Sequence, residues 1–310
     1  MRTDFYYESQ CGSRIHGCRW TPGGEVKAVL QFVHGISEYT ERYAEFAEFL
    51  NSRGILVVAE DHMGHGLSVT EKTPRVYFRG GWFGAVEDTY KLTKDTMAEF
   101  PGVPFFIYGH SMGSFMTRTI LARYPDSGIS GAIICGTGWQ NPALIAAAKM
   151  MSKAICKAKG DTYPSKLMRT MAFGTYNGKI EHQRTPLDWL TRDQKSVGAY
   201  IADPLCGGTA SAGLMGDMMD GFRYIQDPQS LVSMDTNLPV YFIAGDADPV
   251  GDYGKGVRYT AEMFREAGMK QVDVKIYPLC RHEVHNELNK EEVYQDVLKW
   301  MSKVMVKSTV

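Results

Sequence analysis

Short apolar runs alternate with longer amphipathic stretches along this chain. The runs AVLQFVHG (28–35), GILVVAED (54–61), PFFIYG (104–109), GAIICG (131–136), PVYFIAG (239–245) and VDVKIYP (272–278) are rich in β-branched and aromatic residues. Apolar residues at both odd and even positions predict strands covered on both faces, as in a parallel sheet. Between the strands, Tyr43, Phe46, Ala47 and Leu50 fall at i, i+3, i+4 and i+7. Val293, Val297, Trp300, Met301 and Val304 form a similar stripe, so each set predicts a helix with one buried face. The alternation implies an α/β protein with a mostly parallel central sheet flanked by helices. At the start, DFYYES and RIHGCRW fit an antiparallel hairpin leading into that sheet.

From residue 139 to 227 the strand pattern stops. PALIAAAKMMSKAICKAK, YPSKLMRTMAFG, TPLDWLTRDQKSVGAYIAD and SAGLMGDMMDGFRYI all read as helical. A helical block between two strands of one sheet predicts a cap over the carboxyl end of the sheet. The chain then divides into a core of residues 1–138 and 228–310 and a cap insertion of residues 139–227. Met150, Met151, Met168, Met171, Met215, Met218 and Met219 all lie in the cap. Thioethers adapt to flexible apolar ligands, and equally serve as core filler. Lys149, Lys153 and Lys157 recur every four residues, as a solvated helix face or as a basic face for transient contact with a membrane surface.

Composition narrows the classes. The chain has 310 residues, 44% of them hydrophobic, enough for a large core. Net charge is −1 with no basic run, which argues against a nucleic-acid partner. The apolar runs are too short to cross a bilayer, and MRTDFYYESQ lacks a secretory apolar stretch. The six cysteines contain no CxxC and read as reduced thiols of a cytoplasmic protein. Nothing in the sequence sets an oligomeric state.

The sharpest chemical signal is YGHSMGSF (108–115). It places Ser111 between a strand and a helix pattern, with Gly109 and Gly113 two residues away on each side. A tight strand-to-helix turn strains its central residue and brings the flanking positions against neighbouring chain, where a Cβ would clash. The turn lifts the hydroxyl above the sheet, and the helix N-terminus offers N–H groups where an anion would form. A serine needs a base. His282 and His285, in PLCRHEVHNE, follow the last strand, and IAGDADPV supplies Asp246 and Asp248 after the preceding one. Ser111, Asp248 and His282 then stand at strand ends in the order nucleophile, acid, base. In FVHGISE, Gly35 permits a sharp turn, so the Ile36 and Met112 N–H groups fit as the oxyanion donors. HMGH and HEVH are not HExxH, and no GxGxxG or P-loop occurs, so neither metal nor cofactor is expected.

Together, HGISEYTERY, DHMGHGLS, GHSMG, GDADPV and RHEVHNE resemble the monoacylglycerol lipase and lysophospholipase group of the α/β-hydrolases, often filed with serine aminopeptidase-like hydrolases. The resemblance covers most of the chain outside the cap. It implies an α/β-hydrolase fold and a serine ester hydrolase that works through an acyl-enzyme on monoacylglycerol or another single-chain lipid ester. Ser111 would be nucleophile, Asp248 orienting acid and His282 base. Glu38, Arg42 and His285 match positions that help hold the glycerol head group. The chain departs from the group at Ser37 and Tyr39, where a glycine and a histidine are usual. Lysophospholipase, general carboxylesterase and aminopeptidase are alternatives on the same fold, and a catalytically silent ligand-binding protein is the alternative of another class.

Overall fold

The computed structural model describes residues 1–307. Eight strands form one sheet: β1 (Arg2–Glu8), β2 (Arg14–Trp20), β3 (Ala28–Val33), β4 (Ile55–Glu60), β5 (Phe105–His110), β6 (Gly131–Cys135), β7 (Val240–Gly245) and β8 (Val272–Tyr277). Their order is β1-β2-β4-β3-β5-β6-β7-β8. The β1–β2 hairpin is antiparallel and joins β4 antiparallel, and every later pairing is parallel. The expected hairpin and parallel sheet are both present.

Alternate residues of the central strands feed two apolar layers, as a doubly covered sheet requires. Val29 and Val33 of β3 face one layer with α2 (Gly81–Glu99), α3 (Met112–Arg123) and α9 (Lys255–Glu266). Leu30 and Phe32 face the other, with α1 (Ala44–Asn51) and α10 (Lys290–Lys307). Gln31 is fully buried on β3 but satisfied: its Nε2 donates to Thr89 O at 3.0 Å and its Oε1 accepts from Thr93 Oγ1 at 2.7 Å.

β8 departs from the expectation of burial on both faces. It lies at the sheet edge, where Asp273 is exposed and Lys275 donates to Glu292 at 2.8 Å. Its alternating charges mark one wet face.

Between β6 and β7 the chain is helical: α4 (Pro142–Lys159), α5 (Lys166–Phe173), α6 (Gln194–Ala202), α7 (Ala212–Ile225) and the short α8 (Pro228–Val232). Asn141, Ser165, Asp193 and Ser211 cap the first four with their side-chain oxygens. The predicted helix over TPLDWLTRDQKSVGAYIAD forms only from Gln194. Residues 185–193 turn instead. The Asp188 carboxylate takes Arg184 N at 2.7 Å and Thr185 Oγ1 at 2.5 Å, and Asn177 Oδ1 takes Trp189 N at 2.8 Å. Such local bonds compete with a helix. Among the described residues, no helix is long and apolar enough to cross a membrane.

Candidate active site

Ser111 sits between β5 and α3 with φ 52° and ψ −120°, a backbone that a residue with a side chain rarely adopts. The two flanking glycines are needed by their surroundings. A Cβ on Gly109 would lie 2.3 Å from Thr117 Oγ1, and one on Gly113 would lie 1.9 Å from Val33 O. The turn therefore forms only because both positions lack a side chain, and it sets Ser111 on the wall of a cavity of about 640 Å³.

His282 lines the same cavity from the loop after β8. Its Nδ1 lies 3.0 Å from Asp248 Oδ1, and both residues are buried. Burial alone pulls the imidazole down, but the Asp248 carboxylate outweighs it, with smaller help from Glu283 and Glu38. The pKa stands above the usual histidine value. His282 Nε2 is buried and has no hydrogen-bond partner among the described residues, Ser111 included. Asp248 also accepts from Val250 N at 2.9 Å, which fixes its loop. Asp246, the other acid in that motif, is exposed and accepts from Leu279 N at 2.7 Å, away from the imidazole.

Ile36 lies on the cavity wall beside Ser111, and Met112 opens α3 directly behind it. Neither backbone N–H has an acceptor among the described residues. The loop carrying Ile36 is tied down on both sides. Gly35 N donates to Glu38 Oε1 at 2.6 Å, while Ser37 O accepts from Gly207 N and from Tyr200 OH, each at 2.9 Å.

The remaining predicted residues are placed less directly at the cavity. Glu38 reaches its wall, but both carboxylate oxygens are already engaged: Oε1 with Tyr43 OH at 2.9 Å and His110 Nδ1 at 3.1 Å, Oε2 with Arg42 at 2.5 Å. Burial raises the Glu38 pKa, but Arg42 and His110 overcome that and hold it well below the usual carboxylate range. Arg42 is not on the wall. It donates to Glu283 through both terminal nitrogens at 2.6 Å. His285 is also off the wall, fully buried, with Nδ1 3.2 Å from Tyr108 OH and its ring stacked on Tyr43. Burial and the nearby His110 keep it neutral, well below the usual value.

Three features correct the reading of the linear sequence. No cap methionine lines the cavity: Met168, Met215, Met218 and Met219 are core, and Met150 and Met171 face solvent. The lysines of α4 do not share one free face, since Lys149 Nζ turns to Asp220 at 2.6 Å and Gly216 O at 3.0 Å. HEVH also gains a cysteine–histidine neighbourhood that spacing hid. His110, Cys135 and His285 each bring a possible ligand atom within 4.8 Å of the others, and all three are buried. Sequence reasoning also missed Trp189 and Glu283. Trp189 lies on the cavity wall with its ring 5.1 Å from that of His282, and Glu283 binds Arg42. Trp189 O accepts from His282 N at 3.3 Å and Leu190 O from Glu283 N at 2.7 Å, so the 187–190 segment braces the loop of the imidazole.

A strained serine at a strand-to-helix turn, on a cavity wall shared with an imidazole that is paired with a buried aspartate, above a mostly parallel sheet, defines an α/β-hydrolase of the serine hydrolase type. Residues 24–289 match the Serine aminopeptidase, S33 family, and the chain belongs to it, within the monoacylglycerol lipase-like group of serine ester hydrolases. It is similar to the monoacylglycerol lipase of Mycolicibacterium smegmatis, 29% identical over 97% of each chain. It is also similar to the monoglyceride lipase of Homo sapiens, 26% identical over 92% of this chain and 86% of that one. Among solved structures, a thermostable carboxyl esterase from Bacillus coagulans in complex with glycerol superposes with a TM-score of 0.90 at 27% identity, covering 98% of this chain and 99% of that one.

Proposed function

We propose that this enzyme hydrolyses monoacylglycerol or another single-chain lipid ester through an acyl-enzyme. Ser111 attacks the ester carbonyl while His282 takes its proton, and Asp248 orients the imidazole and stabilises its charged form. The Ile36 and Met112 N–H groups receive the oxyanion, each contributing about 3 kcal/mol to lowering the barrier. The alcohol leaves with the proton from His282, and water then repeats the sequence on the acyl group. Residues 139–227 act as the cap, and residues 1–138 and 228–310 as the catalytic core. Glu38, Arg42 and His285 serve the head group indirectly, through the loops they hold. The cap meets lipid surfaces transiently through exposed Leu144 and Met150, with Lys153 and Lys157 beside them. Six free cysteines suit a cytoplasmic setting.

The observation that carries the mechanism is the buried His282–Asp248 pair facing the cavity that Ser111 shares. A fluorophosphonate probe should label Ser111 and leave Ser111→Ala unlabelled. In a panel of monoacylglycerols, lysophospholipids, short esters and amino-acid amides, a single-chain lipid ester of lauroyl length or longer should give the highest kcat/KM. Full ester hydrolysis by Ser111→Ala would overturn the mechanism, and faster turnover of short esters or amides would overturn the substrate.

A further inference from the structure

We infer that the ester taken by this cavity carries an anionic group, a phosphate or a carboxylate, held against Lys166, Arg169 and Arg184. The inference rests on the reading of the cavity as an ester-hydrolysing site.

The three cations line the cavity from α5 and from the turn that follows it. None has a carboxylate within ion-pair distance among the described residues. The nearby acid is spent, because Asp188 accepts from Arg184 N, Thr185 N and Thr185 Oγ1. Among the described residues, the only polar side-chain partner of Arg184 is the neutral amide of Gln194. Two other cations between residues 139 and 227 do pair, Lys149 with Asp220 and Arg192 with Glu287.

The carboxylates on the cavity wall, Glu38 and Glu283, are committed to Arg42 and nearly buried. With Arg42 set against them, one negative charge faces three positive ones. Unpaired cations on the wall of a concave cleft focus a positive potential into it. The neutral hydroxyls of a glycerol accept hydrogen bonds there but carry no charge, whereas a phosphate or carboxylate also neutralises the cations. Ile36, Phe173, Leu187 and Trp189 give the wall an apolar part that suits a hydrocarbon chain. The cavity therefore fits an amphiphile with a charged end better than a neutral one.

The anion could sit on the alcohol half or at the far end of the acyl half. Three esters of equal chain length separate these sources: lauroylglycerol, lauroylglycerol phosphate and the monomethyl ester of dodecanedioic acid, each below its aggregation concentration. In low salt, one charged ester should show a kcat/KM about tenfold above lauroylglycerol. That ratio should fall toward one in the triple variant K166Q/R169Q/R184Q. In the wild-type enzyme it should also fall as salt is raised to about 0.5 M, a readout that does not depend on the variant folding. A ratio of one or less in low salt, or a preference that neither salt nor the triple variant reduces, overturns the inference. Hydrolysis of lauroylglycerol without charge preference overturns it alone, and failure to cleave any of the three overturns the ester-hydrolase reading with it.

Discussion

Arg42 joins Glu38 to Glu283, which lies 241 residues further along the sequence than the arginine, donating at 2.5 Å to the first and twice at 2.6 Å to the second. Glu38 holds the Gly35 N–H beside Ile36, and Glu283 adjoins His282, so one guanidinium couples the two loops that carry the proposed donor and base. The charges are buried, and the Arg42 pKa lies well above its usual value. Burial pulls it down, but Glu283 and Glu38 outweigh that. Removing one member of such a set costs far more than the set contributes, because the partners stay buried and unpaired. Arg42→Met should lower stability by about 3–5 kcal/mol in urea unfolding. The triple variant E38Q/R42M/E283Q should recover most of that stability while kcat stays low. Recovery of kcat as well would reduce the network to scaffolding.

The raised pKa of His282 gives a pH signature. A base must be unprotonated to act, so kcat/KM should rise through an acid limb whose midpoint lies above 6.5, the ordinary histidine value. In Asp248→Asn the carboxylate no longer offsets burial, so the limb should move to lower pH, and kcat should drop by on the order of 10³–10⁴. A pH–rate profile of both proteins checks the direction. The sign for stability is opposite to that of an acid held low. The folded state favours the imidazolium, so this pair's contribution is complete below the unfolded pKa and is lost as pH rises through the folded one.

The strain at Ser111 should be measurable as stability. A φ of 52° with ψ of −120° suits glycine better than serine. Ser111→Gly should abolish ester hydrolysis and raise unfolding stability by about 1 kcal/mol. Gly113→Ala should do the reverse. Its Cβ would meet the Val33 carbonyl in the middle of the sheet, where nothing can yield, so a loss of about 3 kcal/mol or more is expected. Thermal melts of the two variants test both signs.

What could be read from the sequence follows from which physics is local. The apolar runs of β3 to β7, the hairpin and the glycines around Ser111 each obey a rule that acts over a few residues, so they were legible. α2 was not, because Thr89, Thr93 and Thr96 stand at buried positions where an apolar stripe would be sought. Two of them serve polar partners, Thr93 with Gln31 and Thr89 with the buried Glu60. The cavity wall was the least legible part. Trp189 and Arg184 reach it through a turn fixed by single side-chain bonds, such as Asn177 to Trp189 N and Asp188 to Arg184 N, and no periodicity records those. The methionines illustrate the converse: a suggestive composition in the cap became core packing on α7 against α3 and α2.

Asp88 predicts a different pH dependence, in the body of the fold. It is buried on α2, and burial pushes its carboxyl up to about 7. The neighbouring Glu60 adds to the rise, with a smaller push from Glu87 and partial relief from Lys91 and the Gln10 N–H. The folded pKa lies above the unfolded value of 3.8, so the folded state binds a proton that the unfolded chain releases. Stability from this group is complete below about pH 4 and fades as pH rises through 7. Asp88→Asn should flatten the decline of Tm between pH 6 and pH 8 by a few degrees, read by calorimetry at each pH. An unchanged slope would place the cause elsewhere.

Arg118 holds the two ends of the proposed cap segment together. Its Nη1 donates to Gly138 O at 3.0 Å and to Thr137 Oγ1 at 3.2 Å, and its Nη2 to Ile225 O at 3.4 Å. Gly138 and Ile225 adjoin the proposed boundaries of the cap, and the Gln140–Gln226 pair ties the same two stretches at 2.8 and 2.9 Å. The guanidinium is buried with no acid in ion-pair range among the described residues, and burial pushes its pKa down to about 9. An uncompensated buried cation is costly. Arg118→Met removes that cost together with three hydrogen bonds, so global stability should change by less than about 2 kcal/mol. The hinge, however, loses its clamp. Limited proteolysis should cut between residues 139 and 227 several-fold faster in the variant, and hydrogen exchange at 137–141 and 224–227 should quicken while the central strands keep their protection. Equal cleavage rates in both proteins would mean that the cap is held by its apolar contacts with α2 and α3 alone.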